Sequence, residues 1–355
     1  MEKMYEIKNQ DYKLLGVKIL EKVNVSQEHA LILMETLLDS DQKGIYTHGF
    51  YRLQTYIKQI KCGNYNTSPA INTVKNDTNV KLLDGDNGLG SVVSTIAMNQ
   101  AINISESKGV GVVGVRKSNH FGTAAYYAEL ASQKDQIGIV MTNASPAIAP
   151  TGGKTPLLGN NPWSISVPSS LGHPITLDIA NSVSARGKIR LKALNGESIP
   201  VGWALDKEGN PTTNAHEALE GLILPIGDYK GYGITFMISI LSGILTGANF
   251  DFDIPLIEED GVRNNGHLFV SLNISNFMEV PKFKERIGIF VKEIKNSPKV
   301  KDVDQILLPG EMEWTKKLNQ KEEYVKVPER IFSFIQSLSE QYGVSLPDYR
   351  LLKTV

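Results

Sequence analysis

His120 lies in "KSNHFGTAAYY", residues 117–127, where a run of β-branched residues gives way to small residues suited to a helix start near Gly122. An imidazole exchanges a proton near neutral pH, and the end of a strand is where α/β sheets present ligands. Gly122, Thr123, Ala124 and Ala125 would leave room beside the ring for a flat ring or a small acid. The competing reading is a histidine that caps a helix or bonds loop carbonyls. A second pair stands at His48 and Arg52, four residues apart in "THGFYRLQTYIKQIKCG". If that segment is one helix from Thr47 to Gly63, the two side chains share a face, and Tyr56 continues the stripe. A guanidinium holds a carboxylate through two parallel hydrogen bonds. The bland reading of this pair is a solvated helix face.

Three loops are too polar and constrained to pass as mere connectors. "MTNASPAIAPTGG" carries Asn143, "GNNPW" carries Asn160, and "IGDYKGYG" places Asp228 and Lys230 before a glycine-rich helix start. Backbone N–H groups at such a start can meet an anion. Each loop alone reads as a turn. Beside His48, Arg52 and His120 they suggest one pocket.

The elements that must position these residues follow from periodicity. Residues 9 to 61 repeat apolar positions at helical spacing, with Ser26 as an N-cap. From residue 79 to 143 strands and helices alternate, which predicts a central sheet. Strand and loop patterns dominate to residue 230, and helix returns near 281–296 and 328–342. The expected organisation is a helical layer from residues 1–75 and 281–355 around an α/β domain of residues 76–280.

Two glycine motifs are decoys. "GVGVVG", residues 109–114, has the G-x-G-x-x-G spacing, but a helix precedes it and the valines continue as strand. A dinucleotide fingerprint needs the opposite order, so these glycines are expected to permit close packing. "GGKT", residues 152–155, lacks the earlier glycine of a P-loop, because Ile148 stands there. No nucleophile elbow, H-E-x-x-H or zinc-type cluster is present in the sequence.

Composition narrows the class further. The chain has 355 residues, 41% hydrophobic and 21% charged, with a net charge of −1. That balance argues against a nucleic-acid partner. Cys62 is the sole cysteine, which excludes an internal disulfide and fits a reducing compartment. The uncharged stretch 231–250 is long enough to span a bilayer. Its Gly, Ser and Thr, and the lack of a second such segment, point instead to a helix buried in a large core. No membrane partner and a cytoplasmic location are expected.

Taken in order, "THGFYRL", "SNHFGTAAYYA", "GNNPWSISVP", "LDIANSVSARGKI", "PVGWALDKEGNPTT", "DYKGYGITFMISILSGILTGANF", "NGHLF" and "LPGE" resemble the malate/L-lactate dehydrogenase family that is unrelated to Rossmann-type lactate dehydrogenases. The same family includes ureidoglycolate and sulfolactate dehydrogenases, diketogulonate reductase and piperideine-carboxylate reductase. The resemblance spans about residues 10 to 345. It implies an α/β (α+β) fold peculiar to the family, with a mainly antiparallel cofactor-binding sheet. It also implies a homodimer, and NAD- or NADP-dependent interconversion of a small 2-hydroxy acid and its 2-oxo acid, with no metal.

Residue by residue, the resemblance gives His120 proton transfer, with His48 beside it at the catalytic site. Arg52 would meet the substrate, and Asp178, Ile179, Ala180, Lys230 and the turn Pro309, Gly310, Glu311 would bind cofactor. The helical stripe and the polar loops, read by themselves, add Tyr56 and Asn143 on the substrate side and Asn160 on the cofactor side. Departures exist. Thr47 replaces a common Ser, Asn181 a common Thr, and Leu308 a frequent Arg; Ala125 stands where Gly is common. Ureidoglycolate or a cyclic imino acid is an alternative substrate. A non-catalytic nucleotide-binding protein is a remoter alternative, against which the intact His48, Arg52, His120 and Lys230 speak.

Overall fold

The structure, a computed structural model, describes residues 3–352. At its centre is a seven-stranded sheet of β2 (Asn72–Asn76), β3 (Val80–Asp84), β4 (Val110–Ser118), β5 (Gln136–Thr142), β6 (Trp163–Val167), β7 (Ile175–Ile179) and β8 (Asn265–Asn273). The spatial order is β2-β3-β4-β8-β5-β6-β7. Only β3 and β4 run parallel; the other neighbours are antiparallel. That parallel pair needs a crossover, and α4 (Gly90–Lys108) supplies it. The late strand β8 inserts at the centre, with Phe269 opposite both Val113 and Val140.

Helices α4 and α5 (Ala124–Ser132) pack on this sheet through Val93, Ala97, Ala101, Tyr127, Ala128 and Ala131. The contact is close because Gly111 and Gly138 stand under it. A Cβ there would lie 2.1 Å from the Ala101 carbonyl oxygen and 2.3 Å from that of Ala128, respectively. The glycine of "GVGVVG" is thus a seat for a helix, as its placement inside a strand predicts.

A second core joins both ends of the chain. Helices α1 (Asn9–Glu21), α2 (Gln27–Gln42), α3 (Leu53–Lys61) and α11 (Glu329–Tyr342) bury Leu20, Leu33, Leu37, Leu53, Phe332 and Leu338 together. Ser26 caps α2, its hydroxyl accepting the His29 N–H at 3.3 Å. This layer also contains a small sheet absent from the helical reading. Strand β1 (Met4–Lys8) pairs antiparallel with β9 (Tyr324–Pro328) on one side and β10 (Tyr349–Leu352) on the other. The expected boundary at 75/76 cuts through β2, which belongs to the central sheet. Buried ion pairs tie layer to sheet domain: the Lys43 ammonium reaches Asp39 at 2.7 Å and Glu129 of α5 at 2.6 Å.

Between β7 and β8 the chain forms α6 (Arg186–Leu194) and α7 (Ala215–Glu220) around a minor core of Ile189, Ala193, Ala215 and Ile223. Then comes α8 (Tyr229–Ile238), which continues as a π-helical turn over Ser239–Ile244. Here the expectation of a buried helix fails. Phe236, Met237, Ile244 and Leu245 are 45% to 65% exposed, whereas Thr235 and Ser242 are buried. The helix turns its small and polar side inward because close backbone contacts await it there. The Thr235 hydroxyl donates to the Gly159 carbonyl at 2.7 Å, and a Cβ on Gly266 would come within 1.8 Å of the Ser242 carbonyl. The exposure of Phe236, Met237, Ile244 and Leu245 leaves this helix with an apolar outer side. Among the described residues no helix is long and apolar enough to cross a membrane. Helices α9 (Val280–Asn296) and α10 (Glu311–Leu318) complete the chain's outer side.

Candidate functional site

His120 follows the last residues of β4, in a segment fixed from two sides. The Asn119 amide donates to the carbonyls of Asn87 and Gly88, both at 2.9 Å. Phe121 stacks on His267 of β8, with ring centres 4.7 Å apart. His267 is fully buried and its two ring nitrogens lie 2.7 Å from the Thr142 hydroxyl and 2.8 Å from the Ser118 hydroxyl. It therefore fastens the ends of β4 and β5 together beneath the His120 loop. The helix after this loop starts at Ala124, two residues later than the sequence suggests. Gly122 has φ +89°, a left-handed conformation that glycine adopts without strain, and a Cβ there would meet nothing within 4 Å.

The segment carrying His48 and Arg52 is not one helix. Two 3₁₀ turns, Tyr46–His48 and Phe50–Arg52, are separated by Gly49, and α3 begins only at Leu53. The break reorients both side chains, yet they still converge on His120. The His48 and His120 rings stack with centres 5.7 Å apart and planes 23° apart. The Tyr56 hydroxyl is 2.8 Å from His120 Nδ1. Arg52 donates from Nε to the Thr47 carbonyl at 2.8 Å, while its Nη1 is 3.9 Å from Glu258. That leaves the outer edge of the guanidinium weakly engaged.

The electrostatics follow from this crowding. Burial, then the Arg52 charge, pushes His48 down to about 3. Burial first, then Arg52, His48 and Arg263, holds His120 well below the ordinary 6.5. Both rings are neutral at pH 7. Burial, and then Tyr65, raises the Tyr56 phenol, so it stays protonated and can orient the imidazole. With Nδ1–H donated to the Tyr56 oxygen, Nε2 keeps a free lone pair.

Arg263 carries no signal of its own in the sequence beyond standing two residues before "NGHLF". It is 4% exposed and bonds only neutral groups: the Asn265 amide oxygen at 3.0 Å, the Ser145 hydroxyl at 3.1 Å and the Pro255 carbonyl. Among the described residues no carboxylate lies within ion-pair distance of it. Arg263 is thus buried with no carboxylate at ion-pair distance, although Glu258 acts on it from further off, and its charge adds to that of Arg52 in lowering His120.

Asn143 directly follows β5, but its amide is already engaged. Its nitrogen donates to the Asn249 carbonyl at 2.8 Å and its oxygen accepts the Gly266 N–H at 2.9 Å, which makes it a brace between loops. Asn160 offers its carbonyl to the Asn181 N–H at 2.9 Å. Its neighbour Asn161 is fully buried and donates to Ser239 and Asp251, both at 2.8 Å, with a left-handed φ of +32°.

The remaining predicted residues gather along the outer strand. Asp178 lies in β7 beside the start of α5, where its carboxyl accepts the Ala125 N–H; burial pushes it up to about 7. Ile179 faces Trp163 across the β6–β7 pair, and Ala180 follows the strand. The turn Pro309–Gly310–Glu311 packs on the same strand, the Thr176 N–H donating to the Pro309 carbonyl at 3.2 Å. Gly310 has φ +78°, and a Cβ there would come within 2.7 Å of the Thr176 carbonyl, so no other residue fits without a shift. Glu311 closes the turn by accepting the Leu308 N–H at 2.8 Å. Lys230 is exposed in the first turn of α8, next to Gly231, which abuts Asn181. Asp178 thus adjoins the histidine loop through α5, and Lys230 adjoins the other end of the same stretch. A half-buried carboxyl, an exposed ammonium and a helix start suit a ribose and a phosphate.

Comparison with known proteins bears on the family and the fold. The family model described as malate/L-lactate dehydrogenase matches residues 7–336. A malate/(S)-sulfolactate dehydrogenase of Methanothermus fervidus is 38% identical over 96% of this chain and 99% of its own length. An NAD(+) ureidoglycolate dehydrogenase of Escherichia coli is 30% identical over 92% of this chain and 93% of its own. The crystal structure of a malate dehydrogenase from Entamoeba histolytica superimposes with a TM-score of 0.91 at 32% identity, covering 97% of this chain and 99% of that one.

Proposed function

Because this chain belongs to the malate/L-lactate dehydrogenase family, we propose that it interconverts a small 2-hydroxy acid and its 2-oxo acid, with His120 moving the proton and Arg52 holding the carboxylate. The cofactor is NAD or NADP; Asp178, Lys230 and the turn at 309–311 would hold it. When bound, its nicotinamide supplies the hydride acceptor. The observation that carries the proposal is the meeting of His120, His48, Tyr56 and Arg52 in one place.

The chain's own residues divide the work. Arg52 fixes the C1 carboxylate through its outer N–H groups, which orients C2 toward His120. Neutral His120 then takes the hydroxyl proton at Nε2, and the Tyr56 oxygen accepts from Nδ1–H as positive charge grows on the ring. The arriving carboxylate also offsets the guanidinium that depresses the histidine. In the reductive direction the imidazolium returns the proton. Holding these groups in reacting geometry is the protein's main contribution.

Arg263 favours a substrate with a second anionic group, as in malate or sulfolactate, over lactate. A panel of 2-oxo acids with NADH or NADPH, followed at 340 nm, tests the function and this preference together. The expected result is turnover with kcat/KM for oxaloacetate or sulfopyruvate about 10- to 100-fold above pyruvate, the worth of one charge-assisted contact. Absence of turnover with every 2-oxo acid would end the proposal; equal use of pyruvate would remove Arg263 from it.

The pH dependence of hydroxy-acid oxidation supplies a second check. The base must be unprotonated, and its pKa is lowered in the free enzyme, so acid should not silence it until well below the usual histidine range. The acid limb of kcat/KM, which reports the free enzyme, is therefore expected below 6.5. A limb at or above that value would mean that His120 is not the group that must be neutral.

A further inference from the structure

We propose that Asp41, the penultimate residue of α2, is a positioning residue that sets the geometry of His48 and Arg52 by gripping the chain at Gly49 and Phe50. The carboxyl is wholly buried, with no cation paired to it. One oxygen accepts the Phe50 N–H at 2.9 Å and also the Tyr12 hydroxyl from α1. The other oxygen has no hydrogen-bond partner and stands against Gly49. A Cβ on Gly49 would lie 1.8 Å from it, so the break between the two 3₁₀ turns depends on glycine at 49 and carboxyl at 41 together. Tyr12 adds an edge-on contact with Phe50, ring centres 5.2 Å apart. The turn is anchored from beneath by two helices of the terminal layer, while its upper side carries His48 and Arg52.

A plain structural brace would not need a buried carboxyl. Burial raises Asp41 to about 7 against the pull of Phe50 and Tyr12, and keeping an ionisable group there is unfavourable unless its hydrogen bonds are required. One of those bonds reaches the Gly49–Phe50 peptide, which lies between the two site residues. If the grip is released, nothing else holds the Phe50 N–H, and the backbone is free to run on as the helix that the sequence favours. His48 and Arg52 would then swing away from His120.

The functional link rests on the reading of Arg52 as the carboxylate anchor, so the test carries a readout that does not depend on substrate. Asp41→Ala, Asp41→Asn and Gly49→Ala are compared by histidine NMR, with the His48 signal identified by its loss in His48→Gln. In the intact protein His48 is held at about 3 and should not titrate near neutrality. In Asp41→Ala and Gly49→Ala its titration should move back toward the ordinary value. Asp41→Asn, whose amide oxygen can still accept from Phe50, should restore most of the native behaviour. KM for oxaloacetate with NADH should rise about tenfold in the first two variants, with kcat changed far less. A His48 titration unchanged in folded Asp41→Ala overturns the inference; if that variant does not fold, Gly49→Ala decides alone. A displaced His48 with KM unmoved also overturns it, provided that Arg52→Lys raises KM. If Arg52→Lys leaves KM unmoved, the anchor reading has failed and the His48 result still judges the grip.

Discussion

Replacing His120 by alanine is expected to lower kcat by about 10²- to 10³-fold, the usual worth of a positioned general acid/base. The loss should appear equally in kcat and kcat/KM, because the proton is exchanged only as the reaction proceeds. Binding of NADH or NADPH, read by fluorescence, should persist, since Asp178, Lys230 and the 309–311 turn are untouched. The size of the effect follows from the surroundings. Tyr56 is buried with a raised pKa and keeps its own proton, and His48 stands in its own 3₁₀ turn with its ring centre 5.7 Å from that of His120. Neither can substitute, although both lie beside the missing ring. Turnover within about threefold of the intact enzyme would show that the proton travels elsewhere.

Arg52→Lys is expected to raise KM for the 2-oxo acid by roughly 10- to 100-fold while kcat falls less, given 1.5 to 3 kcal/mol for a hydrogen bond to a charged group. Lysine keeps the positive charge but loses two things. It cannot present two parallel N–H groups to a carboxylate, and it has no Nε–H to bond the Thr47 carbonyl, which now locks the guanidinium plane at 2.8 Å. A competing carboxylate is already near, Glu258 at 3.9 Å, so a mobile ammonium would be drawn toward it. Steady-state kinetics in both directions check the outcome; an unchanged KM would remove Arg52 as the anchor.

Much of this site was legible in the sequence because its signals are local. "SNHFGTAAYY" reads as strand end, loop and helix start, and His120 sits where that reading puts it. The alternation of strands and helices from 79 to 143 is likewise visible as hydrophobic periods. What escaped depends on contacts distant in sequence. The break at Gly49 is enforced by Asp41, which no helical period reveals. The apolar run of α8 looks buried because periodicity records which residues share a face, not whether that face meets protein. Arg263 is a lone arginine in a loop, and only its lack of an acid partner in three dimensions gives it meaning. Asn143 was expected at the substrate, yet its amide is committed to Asn249 and Gly266.

The strand β1 lies between two strands from the far end of the chain, and this has a consequence for biosynthesis. In synthesis Ile7, Leu20, Leu33 and Phe50 are made early, but Val325, Phe332 and Leu338, which share their core, follow much later. All seven strands of the sheet domain are complete by residue 273, so that half can assemble while the first-made half still waits. The segment bearing His48 and Arg52 shares its core with α11, so deleting that helix is expected to loosen the two residues around the ring of His120.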